Sequence, residues 1–416
     1  MSKLNSVYQI FKHSQGVNTD SRTLKAEEVF FALKGENFNG NTFAKTAVDL
    51  GAAAVICDEE QDFAHHKLFY VKDSLVFLQQ LANYHRNQCQ ATFIGITGSN
   101  GKTTTKELLR DVLSTTFKTQ ATKGNFNNHI GVPLTLLEVR PETEMAIIEM
   151  GANHQKEIEA LCKIAEPDYG YITNFGKAHL EGFGGLEGVI KGKSELYSYL
   201  IENNRKALLN IDDPIQISKT ELLAHKTFSL SANADFVFKD KTDDCVKFEI
   251  NATQIITQLI GSYNLTNVCS AVAFGLWFGA DLIKIKTACE NYVPNMNRSE
   301  LLNTDSNRLI MDAYNANPTS MALSISNFNN TTYDSKLMIL GDMFELGDYS
   351  KAEHKAIVKL VQSTEIETLF VGEAFEKCKI SAPSKSFKTT VELLDHLKKS
   401  SIANKTILLK GSNRLL

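Results

Sequence analysis

Apolar and polar positions along the chain alternate between short apolar runs and segments whose apolar residues recur three and four apart. Val29-Phe-Phe-Ala-Leu33 and Ala53-Ala-Val-Ile-Cys57 are runs of strand length. Thr42 to Leu50 and Ser74 to Arg86 have helical spacing, the second with Leu75, Leu78 and Leu81 on one face. Residues 1–90 therefore read as a small α/β unit. The run Thr92 to Ile96 predicts a buried strand, Gly98-Ser-Asn-Gly101 a turn, and Lys102 the start of a helix with Leu108, Leu109, Val112 and Leu113 inward.

Further strands are predicted at Met145–Ile148, Tyr169–Thr173 and Ala207–Leu209, and a helix from Gly184 to Ile201. Residues 225–260 alternate in strand fashion (Asp235-Phe-Val-Phe238, Val246–Ile250, Gln254–Ile260) and are expected to extend the sheet, antiparallel at its edge. Gly261 to Ala271 opens a long apolar helix. The pattern breaks around Pro294 to Arg298. Beyond it, strands at Arg308–Met311, Lys336–Leu340, Thr368–Val371 and Thr406–Leu409 alternate with helical segments, the rhythm of a parallel sheet with crossover helices. The expected division is 1–90, 91–296 and 297–416.

Composition narrows the class. The 416 residues exceed one ordinary core, and 43% hydrophobic with 22% charged content fits a globular chain. A net charge of −4 gives no electrostatic footprint for nucleic acid. No apolar run reaches the roughly 20 residues of a membrane span, and the N-terminus lacks the apolar core of a signal peptide. Seven cysteines (57, 89, 162, 245, 269, 289 and 378) include no Cys-x-x-Cys pair, which suits reduced thiols in a cytoplasm.

The candidate chemistry starts at Thr97-Gly-Ser-Asn-Gly-Lys-Thr-Thr104. A strand, a glycine turn and a helix start make a phosphate cradle. Backbone N–H groups face the anion, Lys102 reaches the phosphates and the Thr103 hydroxyl sits on Mg²⁺. Ile96 occupies the place of the first glycine in the common P-loop, so this is a variant form. Later strands end in polar residues: Glu149 after Met145–Ile148, Asn174 and then His179 after Tyr169–Thr173, and Asn210 after Ala207–Leu209. In open α/β sheets ligands sit at that end. Taken singly, Glu149 reads equally as a helix cap or surface carboxylate, His179 as a packed loop histidine and Lys193 as a solvated helix lysine. The third unit has no Gly-x-Gly-x-x-Gly and so no expected NAD site. Its strand ends carry Asp312-Ala-Tyr-Asn-Ala-Asn-Pro318, Gly341–Gly347 and Lys410-Gly-Ser-Asn413.

Over essentially its full length the chain resembles the Mur ligase family. The likeness rests on Asp20-Ser-Arg22, Phe31-Ala-Leu-Lys-Gly35, the phosphate loop, Gly124-Asn-Phe-Asn-Asn-His-Ile-Gly-Val-Pro133, Glu149-Met-Gly-Ala-Asn153, Ile172 to Leu180, Lys193-Ser-Glu-Leu-Tyr197, Tyr314-Asn-Ala-Asn-Pro-Thr-Ser-Met321 and Leu340-Gly-Asp-Met-Phe-Glu-Leu-Gly347. The last two stretches resemble the branch that adds D-Ala-D-Ala to UDP-MurNAc-tripeptide. The Asp-Asn-Pro-Arg motif of the branch adding the third residue is absent. The resemblance implies an α/β chain of three domains: a small UDP-binding N-terminal domain, a central P-loop ATPase domain with a mostly parallel sheet, and a C-terminal Rossmann-like domain. It implies a monomeric cytoplasmic ligase of peptidoglycan precursor synthesis that uses ATP and, in all, two Mg²⁺ ions.

The resemblance also implies residue roles. Asp20, Ser21, Arg22, Lys34 and Gly35 hold the UDP end, and Asn125, Asn127 and Asn128 face the sugar-peptide. Gly98, Ser99, Asn100, Gly101, Lys102, Thr103 and Thr104, with Asn267, Arg298 and Asp312, bind ATP. Thr103, Glu149, His179 and a carbamylated Lys193 serve the metals, and Lys102, His179 and Lys193 are the catalytic set. Asn174, Tyr314, Asn315 and Asn317 contact substrate. Asn413 stands where the family usually has arginine. The alternatives are another Mur-type amino-acid ligase or a nucleotide-switched, non-catalytic relative.

Overall fold

The structure, a computed structural model, describes residues 2–412 apart from 221, 232, 296 and 401; Asn413 lies outside the described residues. Its contacts divide the chain into two compact units, residues 1–95, 117–151 and 159–169 in the first and 96–116, 152–158 and 170–416 in the second.

The first unit opens with a helix not anticipated from the sequence, Lys3–Lys12, capped by the Ser2 hydroxyl. A parallel sheet follows in the order Val17–Asn18, Val29–Phe31, Ala54–Cys57, Leu68–Tyr70. Both its faces are covered, so its central strands are apolar throughout rather than alternating. Phe30 and Val55 join a core with Ala44, Ala47 and Cys57, while Phe31 meets the Phe77 ring of helix Ser74–Arg86 at 6.4 Å. Full burial of each Phe or Val side chain among these contributes about 1.5–3 kcal/mol. This unit also holds the order Thr92–Thr97, Met145–Glu149, Thr119–Ala121.

Helix Ser74–Arg86 is fastened at its last residue. The Arg86 guanidinium donates to the carbonyls of Ala165 (3.1 Å) and Glu166 (2.5 Å), pairs with Asp168 at 3.1 Å and lies 4.4 Å from the Phe93 ring centre. Asp168 also accepts the Phe93 N–H at 2.9 Å.

In the second unit the strand order is Phe236–Val237, Ala224–Ser229, Lys206–Asn210, Tyr169–Ile172. The edge strands Ala224–Ser229 and Phe236–Val237 run parallel to their neighbours. The antiparallel extension expected over 225–260 is therefore corrected. Lys239–Asp240, Lys247–Ile250 and Thr253–Ile256 form a separate three-stranded antiparallel sheet. The cause is the tight turn at Asn251 and Ala252, both with positive φ (47° and 58°), which folds the chain back on its own hairpin. Helix Leu265–Trp277 packs against helix Lys102–Ser114.

The C-terminal six-stranded sheet has the order Glu300–Asn303, Arg308–Asp312, Thr406–Lys410, Lys336–Gly341, Thr368–Val371, Lys385–Phe387. All its pairings are parallel except the Glu300–Asn303 edge. Both edge strands escape the sequence pattern because they are short and contain no buried residue. Among the described residues no helix is long and apolar enough to cross a membrane.

Arg86→Met is expected to lower unfolding stability by about 3 kcal/mol, because it removes a buried cation while Asp168 stays in place. Urea denaturation of the purified chain measures this; a loss below about 0.5 kcal/mol, the scale of a surface ion pair, would contradict it.

Candidate functional site

The phosphate cradle lies in the second unit from Thr97 onward. Gly98 has φ +140° and Gly101 φ +81°, regions that side chains rarely adopt. Space forbids a side chain as well: a Cβ on Gly98 would stand 2.0 Å from Thr173 Oγ1, and one on Gly101 2.3 Å from Asn267 Oδ1. Gly101 precedes helix Lys102–Ser114 without a side-chain cap. The first-turn N–H groups of that helix have no intrahelical acceptor, and the helix dipole favours an anion there.

Side chains from distant segments fix the loop. The Asn174 amide brackets Asn100, its Oδ1 accepting the Asn100 N–H at 3.1 Å and its Nδ2 donating to the Asn100 carbonyl at 3.0 Å. The Thr173 hydroxyl donates to that carbonyl at 2.5 Å. Asn317 Nδ2 donates to Asn100 Oδ1 at 2.7 Å, and Ser99 Oγ to the Gly176 carbonyl at 2.8 Å. Asn267 accepts from Thr105 Oγ1 (3.3 Å) and donates to Asn264 (3.0 Å). The Lys102 ammonium donates to the Gly98 carbonyl at 2.8 Å. Asn174, Asn267 and Asn317 thus hold the loop's shape here.

Thr103 and Thr104 are buried in the first helical turn. Lys193, expected on a solvated face, is 1% exposed: its Nζ donates to the Ala152 carbonyl at 3.0 Å and lies 5.0 Å from the Phe183 ring centre. Burial, and secondarily the positive charge of Lys102, push the Lys193 pKa well below its ordinary value. His179 sits at a left-handed backbone position, φ 52°, with Nδ1 against the Glu345 carboxylate. Glu345 was not anticipated, because nothing local marks it.

The residues after strand Arg308–Asp312 form a second cluster in this unit. Asp312 pairs with Lys410 (2.8 Å) and accepts the Ser324 hydroxyl (2.7 Å). Lys410 also donates to the Asn315 carbonyl at 3.2 Å, and the Arg298 guanidinium lies 3.7 Å from the Tyr314 ring centre. Asn317 caps helix Pro318–Asn330 through a reciprocal pair with Ser320.

The remaining sequence-predicted residues belong to the first unit. Arg22 donates to Asp20 through Nε (2.9 Å) and a terminal nitrogen (2.7 Å). These bonds lower the Asp20 pKa to about 2, so the carboxylate stays ionised through the physiological range. Ser21 sits between them in the turn. Lys34 pairs with Asp58 (3.1 Å) and Glu59 (3.2 Å), and Lys34–Gly35 forms a hairpin with Phe38–Asn39.

Glu149 ends its strand fully buried, and its Oε1 accepts from Asn127 Nδ2 at 2.8 Å. Asn127 also accepts the Gly151 N–H at its backbone carbonyl, 2.7 Å, and its own N–H donates to the Asn125 carbonyl at 2.7 Å. Asn128 accepts the Ile130 and Gly131 N–H groups at the start of helix Gly131–Leu137. The asparagine loop thus orients Glu149.

Among the described residues no three His, Cys, Asp or Glu side chains gather closely enough to hold a metal. The donor chemistry still fits Mg²⁺ in kind: a buried carboxylate, a threonine hydroxyl and an imidazole with one nitrogen occupied by a carboxylate.

A glycine cradle at a helix start, carried on a parallel sheet and followed by a second parallel-sheet domain, defines a nucleotide-using α/β enzyme of the P-loop kind. The chain belongs to the Mur ligase family. Its family models match in three pieces: "Mur ligase family, catalytic domain" at residues 13–86, "Mur ligase middle domain" at 96–275 and "Mur ligase, glutamate ligase domain" at 297–413. The chain is similar to the UDP-N-acetylmuramoyl-tripeptide–D-alanyl-D-alanine ligase of Bacillus subtilis (strain 168), 34% identical over 95% of this chain and 90% of that one. A MurF crystal structure from Acinetobacter baumannii has a TM-score of 0.86 at 31% identity, covering 98% and 95% of the two chains. The MurF ligase of Thermotoga maritima in complex with ADP has a TM-score of 0.84 at 25% identity, covering 100% and 96%.

Gly101→Ala is expected to destabilise the fold by about 1–2 kcal/mol through its left-handed backbone alone, and further through the clash with Asn267. Measured against Asn267→Ala alone, Gly101→Ala should cost only the backbone part, so the clash appears as a coupling between the two substitutions. Thermal unfolding of both single variants and the double checks this; strictly additive losses would refute the clash.

Proposed function

We propose that the chain is an ATP-dependent, ADP-forming amide ligase that joins D-Ala-D-Ala to UDP-MurNAc-tripeptide in peptidoglycan precursor synthesis. It works in the cytoplasm as a monomer built of domains 1–90, 91–296 and 297–416. The observation that carries this reading is the Thr97–Thr104 cradle clamped by Asn174, Asn267 and Asn317, in a chain similar along its length to ligases of that name.

The chemistry follows from the substrate. A carboxylate is a poor electrophile, so its oxygen first takes the γ-phosphoryl group of ATP, and ADP leaves. The amine of the dipeptide then attacks the acyl carbon, the amide bond forms, and phosphate and a proton leave. No enzyme nucleophile is required, only positioning and stabilisation of crowded negative charge. Lys102 turns from the Gly98 carbonyl toward the phosphates, and Arg298, Asp312 and Tyr314 serve the nucleoside and dipeptide side. Asp20, Ser21, Arg22, Lys34 and Gly35 hold the UDP end; Asn125, Asn127 and Asn128 border the sugar-peptide.

Thr103, Glu149, His179 and a modified Lys193 would hold two Mg²⁺ ions, which would supply Lewis-acid charge neutralisation. Lys193 as a bare amine is a poor partner for a cation. A deprotonated lysine nitrogen is the form that adds carbon dioxide, and burial favours it: an N–C bond forms, a proton leaves, and a carbamate anion results. Protein incubated with ¹³C-bicarbonate should show a carbamate carbonyl resonance that disappears in Lys193→Met; no such signal in the unsubstituted protein would sink the carbamylation.

The reaction is tested by phosphate release from ATP with UDP-MurNAc-tripeptide, with and without D-Ala-D-Ala. Release that needs the dipeptide is expected. Dipeptide-independent release would sink this reading, release only with a single amino acid would assign the chain to another Mur-type ligase, and none would mark a non-catalytic relative. Lys102→Ala should abolish turnover while keeping the far-ultraviolet circular dichroism, because its ammonium serves a loop and no core.

A further inference from the structure

The contact between His179 and Glu345 is a feature of the nucleotide region that the proposed reaction leaves unexplained. Both residues are non-glycine positions with positive φ, 52° and 62°. Such backbone costs about 1–3 kcal/mol each and persists where surroundings over-determine it. Here the surroundings can be named. The Glu181 N–H donates to the Glu345 carbonyl at 3.2 Å, and Gly347, φ +51°, lies against the Glu181 side chain.

On the N-terminal side of Glu345, the Asp342 carboxylate accepts the N–H groups of Ala374 (2.8 Å) and Phe375 (3.0 Å). The fully buried His354 completes the frame. Its Nε2 accepts the Met343 N–H at 3.1 Å and its Nδ1 donates to the Ser350 carbonyl at 2.8 Å, so the ring is neutral with a fixed tautomer. Residues 342–347 are thus held from both ends, with the Glu345 side chain directed at one ring nitrogen of His179.

We infer that Glu345 is a positioning residue for His179. By taking Nδ1 it leaves Nε2 as the nitrogen offered to the nucleotide's metal, so the C-terminal domain sets the ligand that the central domain presents. A carboxylate on the outer nitrogen of a ligating imidazole fixes its tautomer, orients its ring and raises its basicity. The inference rests on the reading of His179 as a metal ligand.

Mn²⁺ binding to the full chain in the presence of ADP, followed by electron paramagnetic resonance, tests it without turnover. Glu345→Ala should weaken Mn²⁺ binding about 10–100-fold, and Glu345→Gln, which keeps an acceptor oxygen and the side chain's shape, by less. ADP affinity without metal should be unchanged in both. Lys177→Ala is the control for docking, since Lys177 pairs with Glu353 (2.6 Å) in the same region without touching His179; it should bind Mn²⁺ normally. Normal Mn²⁺ binding in Glu345→Ala alongside weakened binding in His179→Ala would overturn the inference alone. An equal loss in Lys177→Ala would also overturn it, reducing Glu345 to part of a docking surface. Normal binding in His179→Ala would overturn the metal-ligand reading itself.

Discussion

The structure around the nucleotide turns on one constraint: a backbone that bends the wrong way for L-residues must be held there from outside. Gly98 and Gly101 make the bend possible, yet a glycine loop left to itself samples many shapes and loses entropy on ordering. Thr173, Asn174 and Asn317 close that freedom by taking the loop's own polar groups, and Asn267 packs directly against Gly101. The same clamps leave no space for a Cβ at either glycine, so sequence and shape enforce each other. A preformed cradle binds phosphate without first paying for its own ordering.

A second theme is how charged groups are kept dry. Lys193 and Glu149 are each 1% exposed, and each meets a neutral partner, the Ala152 carbonyl and the Asn127 amide. A buried group of this kind responds strongly to what is placed beside it, because little water remains to screen it. Asp20 and Lys34 are the contrast: exposed, paired with neighbours, and fit for grasping a charged ligand rather than for tuning chemistry.

Much of this was legible in the sequence where the signal is local. The strand–turn–helix from Thr92, helix Ser74–Arg86 and the alternating strands after Arg308 rest on spacing and turn residues within a dozen positions. The hairpin at Asn251–Ala252 was misjudged because apolar alternation reveals a strand but not its partner. Lys193 carries no mark of burial in a helix pattern that equally suits a wet face. Glu345 and Asn127 were missed as orienting groups because their partners, His179 and Glu149, are distant in sequence. The small edge strands at Glu300–Asn303 and Lys385–Phe387 bury too little to leave a pattern.

The asparagine clamps also bear on how the protein is made. Asn100 is bonded to Asn317 across 217 positions of chain, and to Asn174 across 74. Contacts of such separation close large loops and form late, because their entropy is paid before any reward arrives. A ribosome releases the chain from its N-terminus at about 5–20 residues per second, so the glycine turn emerges well before its last clamp exists. The bonds from Thr173 and Asn174 can form once the chain has passed residue 174, whereas the one from Asn317 must wait for 143 further residues.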